Sequence, residues 1–348
     1  MKSHVVFGAG LIGCFLGGAL KAKGLNVSLL CRPNIQAKLA NGLKLSDYLN
    51  HQVQVSSFNF VDPKALIEPN ETGFIADFLW LTVKCTGLER AAQDMFPLVG
   101  PDTVILCCQN GLDSDKVIRQ RYPDNLVLRV MVPFNVVEIS DGHFHRGSEG
   151  NLTLETSVQN SEITETLVKD IHSSLMPLSQ TRDMNALLWA KLQLNLGNSV
   201  NALADIPVKE MLEQRAYRLV IAALMHECLS VTDALGIDLP KVTALPAHWI
   251  PGVLSLPNFL FKLLANKMLA IDPRVRTSMW WDLSQGKATE IDYLNGAVLA
   301  AAATSQTHLS CPVNEKILEL VKSISRDGPN ALPRPVSAKL LLTLIKQP

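Results

Sequence analysis

Three groups of residues in this chain of 348 have the types and spacing that chemistry requires. In Met184 to Leu203, MNALLWAKLQLNLGNSVNAL, Lys191, Asn195 and Asn198 fall within about 60° of one another on a helix turning about 100° per residue. Leu187, Leu188, Leu192 and Leu194 crowd both flanks of that stripe. Burying an ammonium or an amide without partners costs about 1 to 3 kcal/mol per group, so the stripe must face something polar. It reads as the wall of a substrate site, the ammonium offering a proton and the amides hydrogen bonds. A core helix whose polar residues cap neighbouring loops would carry the same pattern.

The second group opens the chain. His4 to Phe7 is a short apolar run leading into Gly8-Ala-Gly10-Leu11-Ile12-Gly13, and Cys14 to Lys23 carries an apolar helical pattern that stops at Gly24. Strand, glycine turn and helix in this order cradle a pyrophosphate. Gly8 makes the tight turn, Gly10 lets backbone N–H groups approach, Gly13 packs close, and the helix N-terminus with Leu11 and Ile12 faces the phosphates. The next strand, Asn26 to Cys31, ends at Arg32, where an acid would grip the ribose of NADH. A guanidinium there suits the 2′-phosphate of NADPH, although a solvated loop arginine would need no ligand. Strands at Phe78 to Val83 and Thr103 to Cys108 lead into Lys84 and into Gln109-Asn110-Gly111. In a doubly wound sheet both segments end at the carboxyl edge, making Lys84 and Asn110 cofactor or substrate contacts; Asn110-Gly111 equally reads as a plain turn.

The third group runs from Arg276 to Gly296. Ser278 and Asp282 share a helix face at i and i+4, Gly286 permits a break, and Thr289-Glu290 opens the next apolar run. Alone, Glu290 reads as a helix-start charge satisfied by the macrodipole. Metal chemistry has no such support. His143-x-His145 stands in a polar stretch, Ser140 to Gly150, read as a surface loop without a third ligand, and His226-Glu-Cys-Leu lacks the second histidine of a metalloprotease motif.

These groups need scaffolds. A chain of this length implies two cores, and strand signals give way to helical ones near Arg182, so residues 1–181 are expected to form a Rossmann-type doubly wound domain and 182–348 an all-α domain. The closeness of the runs Leu126 to Val137 and Asn151 to Glu155 predicts a hairpin-like antiparallel edge on the parallel sheet. Gln159 to Met176 and Val208 to Ala234 are expected to be helices. Lys+Arg and Asp+Glu balance at 32 each, which supplies no field for nucleic acid or an anionic membrane. Seven cysteines without zinc-like or redox spacing, Cys107 and Cys108 adjacent, read as small apolar residues of a reducing, cytoplasmic protein. Met1 to Leu20 resembles a secretory signal less than a folded start. The apolar stretch Pro246 to Ile271 is interrupted by Pro251, Pro257, Lys262 and Lys267, too often for a membrane span.

Taken together, Gly8-x-Gly10-x-x-Gly13, Val83-Lys84, Gln109-Asn110-Gly111-Leu112, Lys191-x-x-x-Asn195, Ser278-Met279-x-x-Asp282 and Thr289-Glu290-Ile-Asp292-x-x-Asn295-Gly296 resemble, in order and over nearly the whole chain, the ketopantoate reductase (2-dehydropantoate 2-reductase) family. The resemblance implies a Rossmann domain and a helical domain with NADPH and a 2-oxo acid in the intervening cleft, in pantothenate biosynthesis. It implies Lys191 as general acid, Glu290 as the group binding the substrate hydroxyl, Ser278 and Asn195 as substrate holders, and Asn110 and Lys84 as cleft residues. One position departs from the pattern. Better-known members carry a second asparagine eight residues after the lysine, where this chain has Ser199, flanked by Asn198 and Asn201. Alternatives to ketopantoate reduction are a dehydrogenase of the same build acting on another 2-oxo or 3-hydroxy acid, and a nonenzymatic NADP(H) sensor. A homodimer through an apolar patch of the helical half is a further expectation.

Overall fold

The computed structural model describes residues 2–61, 74–264, 274–304, 308–327 and 334–346. The chain divides into two compact units, Met1–Met184 and Asn185–Pro348. The first holds strands β1 (Ser3–Phe7), β2 (Asn26–Leu30), β3 (Leu43–Asp47), β4 (Gln52–Val55), β5 (Asn59–Phe60), β6 (Phe78–Leu81), β7 (Val104–Cys107), β8 (Val127–Met131), β9 (Val136–Ser140), β10 (His143–Arg146), β11 (Leu152–Glu155) and β12 (Leu178–Thr181). Its helices are α1 (Leu11–Ala22), α2 (Pro33–Lys38), α3 (Leu88–Asp94), α4 (Ser114–Arg121) and α5 (Ser161–Ile171).

The main sheet runs β12-β11-β8-β7-β6-β1-β2-β5, parallel from β5 through β8. Strands β1, β6 and β7 are buried along their whole length because helices cover both faces. Val6, Trp80 and Leu106 join one core with α1 and α5, whereas Val5, Leu79 and Ile105 join another with α3 and α4. The chain leaves β1 for β2 on one side and returns to β6 on the other, so a topological switch point falls between β1 and β6.

The expected antiparallel edge is present, since Thr153 of β11 pairs with Met131 of β8. It is not a hairpin. The chain between them builds β9 and β10, which join β3 and β4 in a second sheet ordered β4-β3-β10-β9. His143 and His145 therefore stand on a strand, correcting the loop reading. Both rings bond the Ser46 hydroxyl at 2.8 Å. The second sheet seats on α1 where Gly18 leaves room; a Cβ there would approach Leu43 and Leu45 to 2.7 and 3.0 Å. Beyond β11, the polar run of β12 adds a parallel strand that the fading strand signals had hidden.

The second unit is helical throughout its described residues: α6 (Met184–Asn195, its first residue closing the first unit), α7 (Gly197–Ala204), α8 (Val208–Glu213), α9 (Arg215–Ala234), α10 (Ile250–Ser255), α11 (Asn258–Leu264), α12 (Ser278–Ser284), α13 (Asn295–Thr304), α14 (Pro312–Asp327) and α15 (Ala338–Leu344). Helix α9 is the hub, with α7, α8, α10, α13, α14 and α15 packed around it. Two helices expected to be continuous are interrupted. Met184 to Leu203 breaks at Leu196, whose carbonyl accepts the Ser199 hydroxyl at 2.8 Å, a back-bond that competes with the helical ladder. Val208 to Ala234 breaks at Gln214, which takes an extended conformation while the buried Arg218 donates to Leu212 O at 2.8 Å, Leu254 O at 2.9 Å and Leu256 O at 2.7 Å. No helix among the described residues is long and apolar enough to cross a membrane; the last part of the Pro246 to Ile271 stretch lies outside those residues.

Candidate functional site

Four parallel strands deliver the cofactor candidates to one edge of the first unit. After β1, Gly8 takes φ +107°, and a Cβ on it would stand 2.7 Å from Val83 Cγ1 and 2.8 Å from Val83 N, so only glycine fits. A Cβ on Gly13 would overlap Gly8 O and reach Thr82 Oγ1 at 2.6 Å. At Gly10, by contrast, a Cβ would meet no atom within 4 Å. The turn is thus closed by protein on the Gly8 and Gly13 sides and open above Gly10. Helix α1 starts there without a side-chain cap or an acid in its first turn, and the amides of Leu11, Ile12 and Gly13 have no acceptor among the described residues. An uncapped helix start beside open space suits a pyrophosphate, which fits the residues present.

Arg32 follows β2, where Pro33 holds it extended at ψ 152° ahead of α2. It is exposed, and its guanidinium has no partner among the described residues. Burial pushes the neighbouring Cys31 thiol up and the Cys14 thiol to about 12, so neither supplies a thiolate at this edge. Lys84, also exposed, precedes a short 3-10 turn, Cys85–Gly87, after β6. Cys85 Sγ donates to Asn110 O at 2.9 Å, and Gln109 Nε2 donates to Leu81 O at 2.9 Å and Val83 O at 3.2 Å. These bonds lace the exits of β6 and β7 together and bring Lys84 and Asn110 to one place. Gly111 takes φ +90°, so the turn reading of Asn110-Gly111 also holds.

In the second unit the polar stripe is what the burial leaves open. Of residues 188–204, Lys191, Leu194, Asn195, Gly197 and Asn198 are partly exposed, and all others are buried. Gln193, off the stripe, is buried and donates to Ala247 O at 3.0 Å. Ser199 is buried with its hydroxyl on Leu196 O, so the residue in the family's second asparagine position faces inward, and Asn198 takes the accessible face. Ser278 opens α12 exposed, while Asp282 one turn on is buried. Thr277 ties that opening to α7 through the carbonyl of Asn198 and the amide of Asn201, which places Asn198 and Ser278 on bonded segments. Glu290 is 7 % exposed. It precedes only a three-residue 3-10 turn, Ile291–Tyr293, and makes no side-chain cap bond to it, so no helix macrodipole accounts for its charge. No group of three or more His, Cys, Asp or Glu among the described residues is arranged to hold a metal.

Comparison with known proteins now bears on these two units. Residues 4–159 match the family model for ketopantoate reductase PanE/ApbA, and residues 183–325 match its C-terminal model. The chain belongs to the ketopantoate reductase family. It is an oxidoreductase of that type, and the family is NAD(P)H-dependent. It is 26 % identical over 322 residues to a 2-dehydropantoate 2-reductase of Streptococcus pyogenes serotype M6, spanning 91 % of this chain and 95 % of that one. A PanE/ApbA family ketopantoate reductase from Ralstonia eutropha JMP134 superposes with a TM-score of 0.75 at 26 % identity, covering 94 % of this chain and 99 % of that one. D-mandelate dehydrogenase solved with NADH and anilino(oxo)acetate shares the fold, with a TM-score of 0.74 at 19 % identity over 94 % of this chain and 99 % of that one.

Within this ketopantoate reductase fold, sequence reasoning located the exposed residues and missed the ones that brace them. Gln109, Asn201 and Asp205 all bind backbone or neighbouring side chains around the candidate site. Asn201 carried a signal, a lone amide among Val200, Ala202 and Leu203 on a buried face, and Gln109 carried one as the first residue of the Gln109-Asn110-Gly111 motif; Asp205 carried none.

Proposed function

We propose that the protein reduces a 2-oxo acid with NADPH, and that the reaction is 2-dehydropantoate (ketopantoate) to pantoate. The observation that carries this reading is Lys191 and Asn195 on α6 with Asn198 on α7, the polar residues left partly exposed among the mostly buried residues 188–204, in a chain of this family. The backbone around Gly10, the α1 N-terminus, Lys84, Asn110 and Arg32 would hold the dinucleotide. When bound, NADPH supplies a hydride to the ketone carbon. Negative charge then develops on the carbonyl oxygen, and the Lys191 ammonium both stabilises it and gives it the proton that completes the alcohol. Asn110, Asn195, Asn198 and Ser278 hold the acid by hydrogen bonds, and the Glu290 carboxylate accepts from the substrate hydroxyl. The seven free cysteines support a reducing, cytoplasmic setting.

The test is NADPH absorbance loss across a panel of 2-oxo acids, in the wild type and in Lys191→Ala. Ketopantoate should be turned over best, and the variant should lose about a thousandfold in kcat while binding NADPH normally. Near-normal turnover in Lys191→Ala refutes the acid role, and NADPH binding without any turnover favours a sensor. A second reading, reduction of a different 2-oxo or 3-hydroxy acid, is favoured by the inward-facing Ser199, and preferred turnover of another acid would support it. The exposed Trp249, Phe259, Leu263 and Leu264 of the helical unit support a homodimer. Sedimentation should give twice the chain mass; a monomer at micromolar concentration ends that part of the proposal.

A further inference from the structure

Ser278 and Asn198 stand on different helices, and holding two hydrogen-bonding groups on one substrate requires that the helices keep a fixed register. The bonds that fix it come from α7 and converge on both sides of Ser278. On the near side, Thr277 donates its backbone N–H to Asn201 Oδ1 at 3.0 Å, and its hydroxyl lies 3.1 Å from the same oxygen. Asn201 is fully buried. Its Nδ2 donates to Ile206 O at 2.8 Å, which leaves Oδ1 as the only atom able to meet the Thr277 N–H. The Thr277 hydroxyl oxygen in turn accepts from Trp280 N at 3.3 Å, capping α12.

On the far side, residues two before and two after Ser278 end on one carboxylate. Trp280 Nε1 donates to Asp205 Oδ1 at 2.5 Å, Arg276 Nη1 lies 3.5 Å from the same atom, and the Arg276 guanidinium covers the Trp280 ring at 4.2 Å. Asp205 reaches them from the end of α7, held at φ +53°. Amid these ties the Ser278 hydroxyl has no partner among the described residues and is exposed. The clamp uses Arg276, Thr277 and Trp280 around Ser278 and leaves the serine side chain itself outside these ties.

We propose that Asn201 and Asp205 are positioning residues that set the location of the Ser278 hydroxyl against Asn198, Asn201 through Thr277 and Asp205 through Trp280 and Arg276. This rests on the substrate role given to Ser278 above. A shift of about 1 Å at such a contact can cost up to about a hundredfold, so loosening the clamp raises KM for the acid far more than it changes kcat.

The experiment is a double-mutant cycle with ketopantoate as the probe, using Asn201→Ala, Ser278→Ala and the pair. Asn201→Ala should raise KM about tenfold in the wild type and less than about twofold once Ser278 is alanine, because its effect runs through that hydroxyl. Equal, additive losses in both backgrounds overturn the positioning role and leave Asn201 a purely structural residue. A Ser278→Ala variant with unchanged KM overturns the substrate role of Ser278, and the positioning with it. Should Asn201→Ala not fold, Thr277→Val against Thr277→Ser reads the hydroxyl arm of that tie, the backbone arm being kept in both. Serine should restore the wild-type KM, and equal KM values for valine and serine reject the clamp.

Discussion

In the reading proposed above, Arg32 is the side chain that distinguishes two cofactors. Pro33 fixes its backbone extended and nothing in the described protein binds its guanidinium, so its charge is available to a 2′-phosphate, which NADH lacks. Arg32→Ala should weaken NADPH binding about ten- to a hundredfold, the loss expected for charge-assisted hydrogen bonds, and leave NADH unchanged. Fluorescence titration of both cofactors reads this directly; an NADPH preference that survives the mutation sinks the assignment. Lys191 differs in kind. Buried leucines, Leu188 and Leu192 among them, flank it, so its chemistry depends on its whole helix, whereas that of Arg32 depends on one turn. Both candidates were raised by type and position alone, an arginine where an acid would grip the ribose and a lysine on an apolar helical pattern.

At the scale of elements, legibility followed burial. Strands β1, β6 and β7 are apolar from end to end because two faces are covered, and such runs announce themselves. The second sheet did not. Its β4 alternates glutamine with valine and its β10 reads His-Phe-His-Arg, and half-polar runs of four residues carry too little period to separate strand from loop. The helix breaks were hidden for another reason. Leu196 keeps helical torsions, and the break arises from a side-chain back-bond. At Gln214 the break is braced by Arg218, whose guanidinium is fully buried and bonds three carbonyls from α8, α10 and the residue after α10. The candidate site divides the same way. Outward-facing Lys191, Asn195 and Asn198 were proposed because polarity on an apolar pattern is conspicuous and Ser278 because of the family resemblance, whereas Asn201 and Asp205 are bonded to tertiary partners some 75 positions away.

Across the whole molecule, one buried histidine of the first unit links stability to acid. His4 on β1 stacks on Phe78 with ring centroids 4.9 Å apart and accepts from Trp80 Nε1 at 3.2 Å through Nδ1. Burial pushes its pKa down from 6.5 to about 4, against the opposing pull of Asp77. Between those values the unfolded chain binds a proton that the native chain refuses, so this contribution is whole above the upper value and drains away as pH falls to the lower one. It amounts to on the order of 3 kcal/mol. The urea midpoint of the wild type should fall from pH 6.5 to about 4 more steeply than that of His4→Phe; parallel curves would reject the linkage.

The segment after α14 has a consequence for how the protein is made. Val336 donates to Leu203 O at 3.0 Å and accepts from the buried Tyr217 hydroxyl at 2.6 Å, while Arg334 lies 3.3 Å from Asp205. The helix bearing Asn198 and Asn201 is therefore finished by residues translated long after it, 119 positions after Tyr217. At ~5–20 residues per second that is a wait of roughly 6 to 24 seconds on the ribosome. The first unit, complete at Met184, can fold in that interval, but α7 stays unsealed until the strap around Val336 emerges. On the roles proposed above, a premature stop before that strap would yield chains that still bind the dinucleotide and turn over nothing.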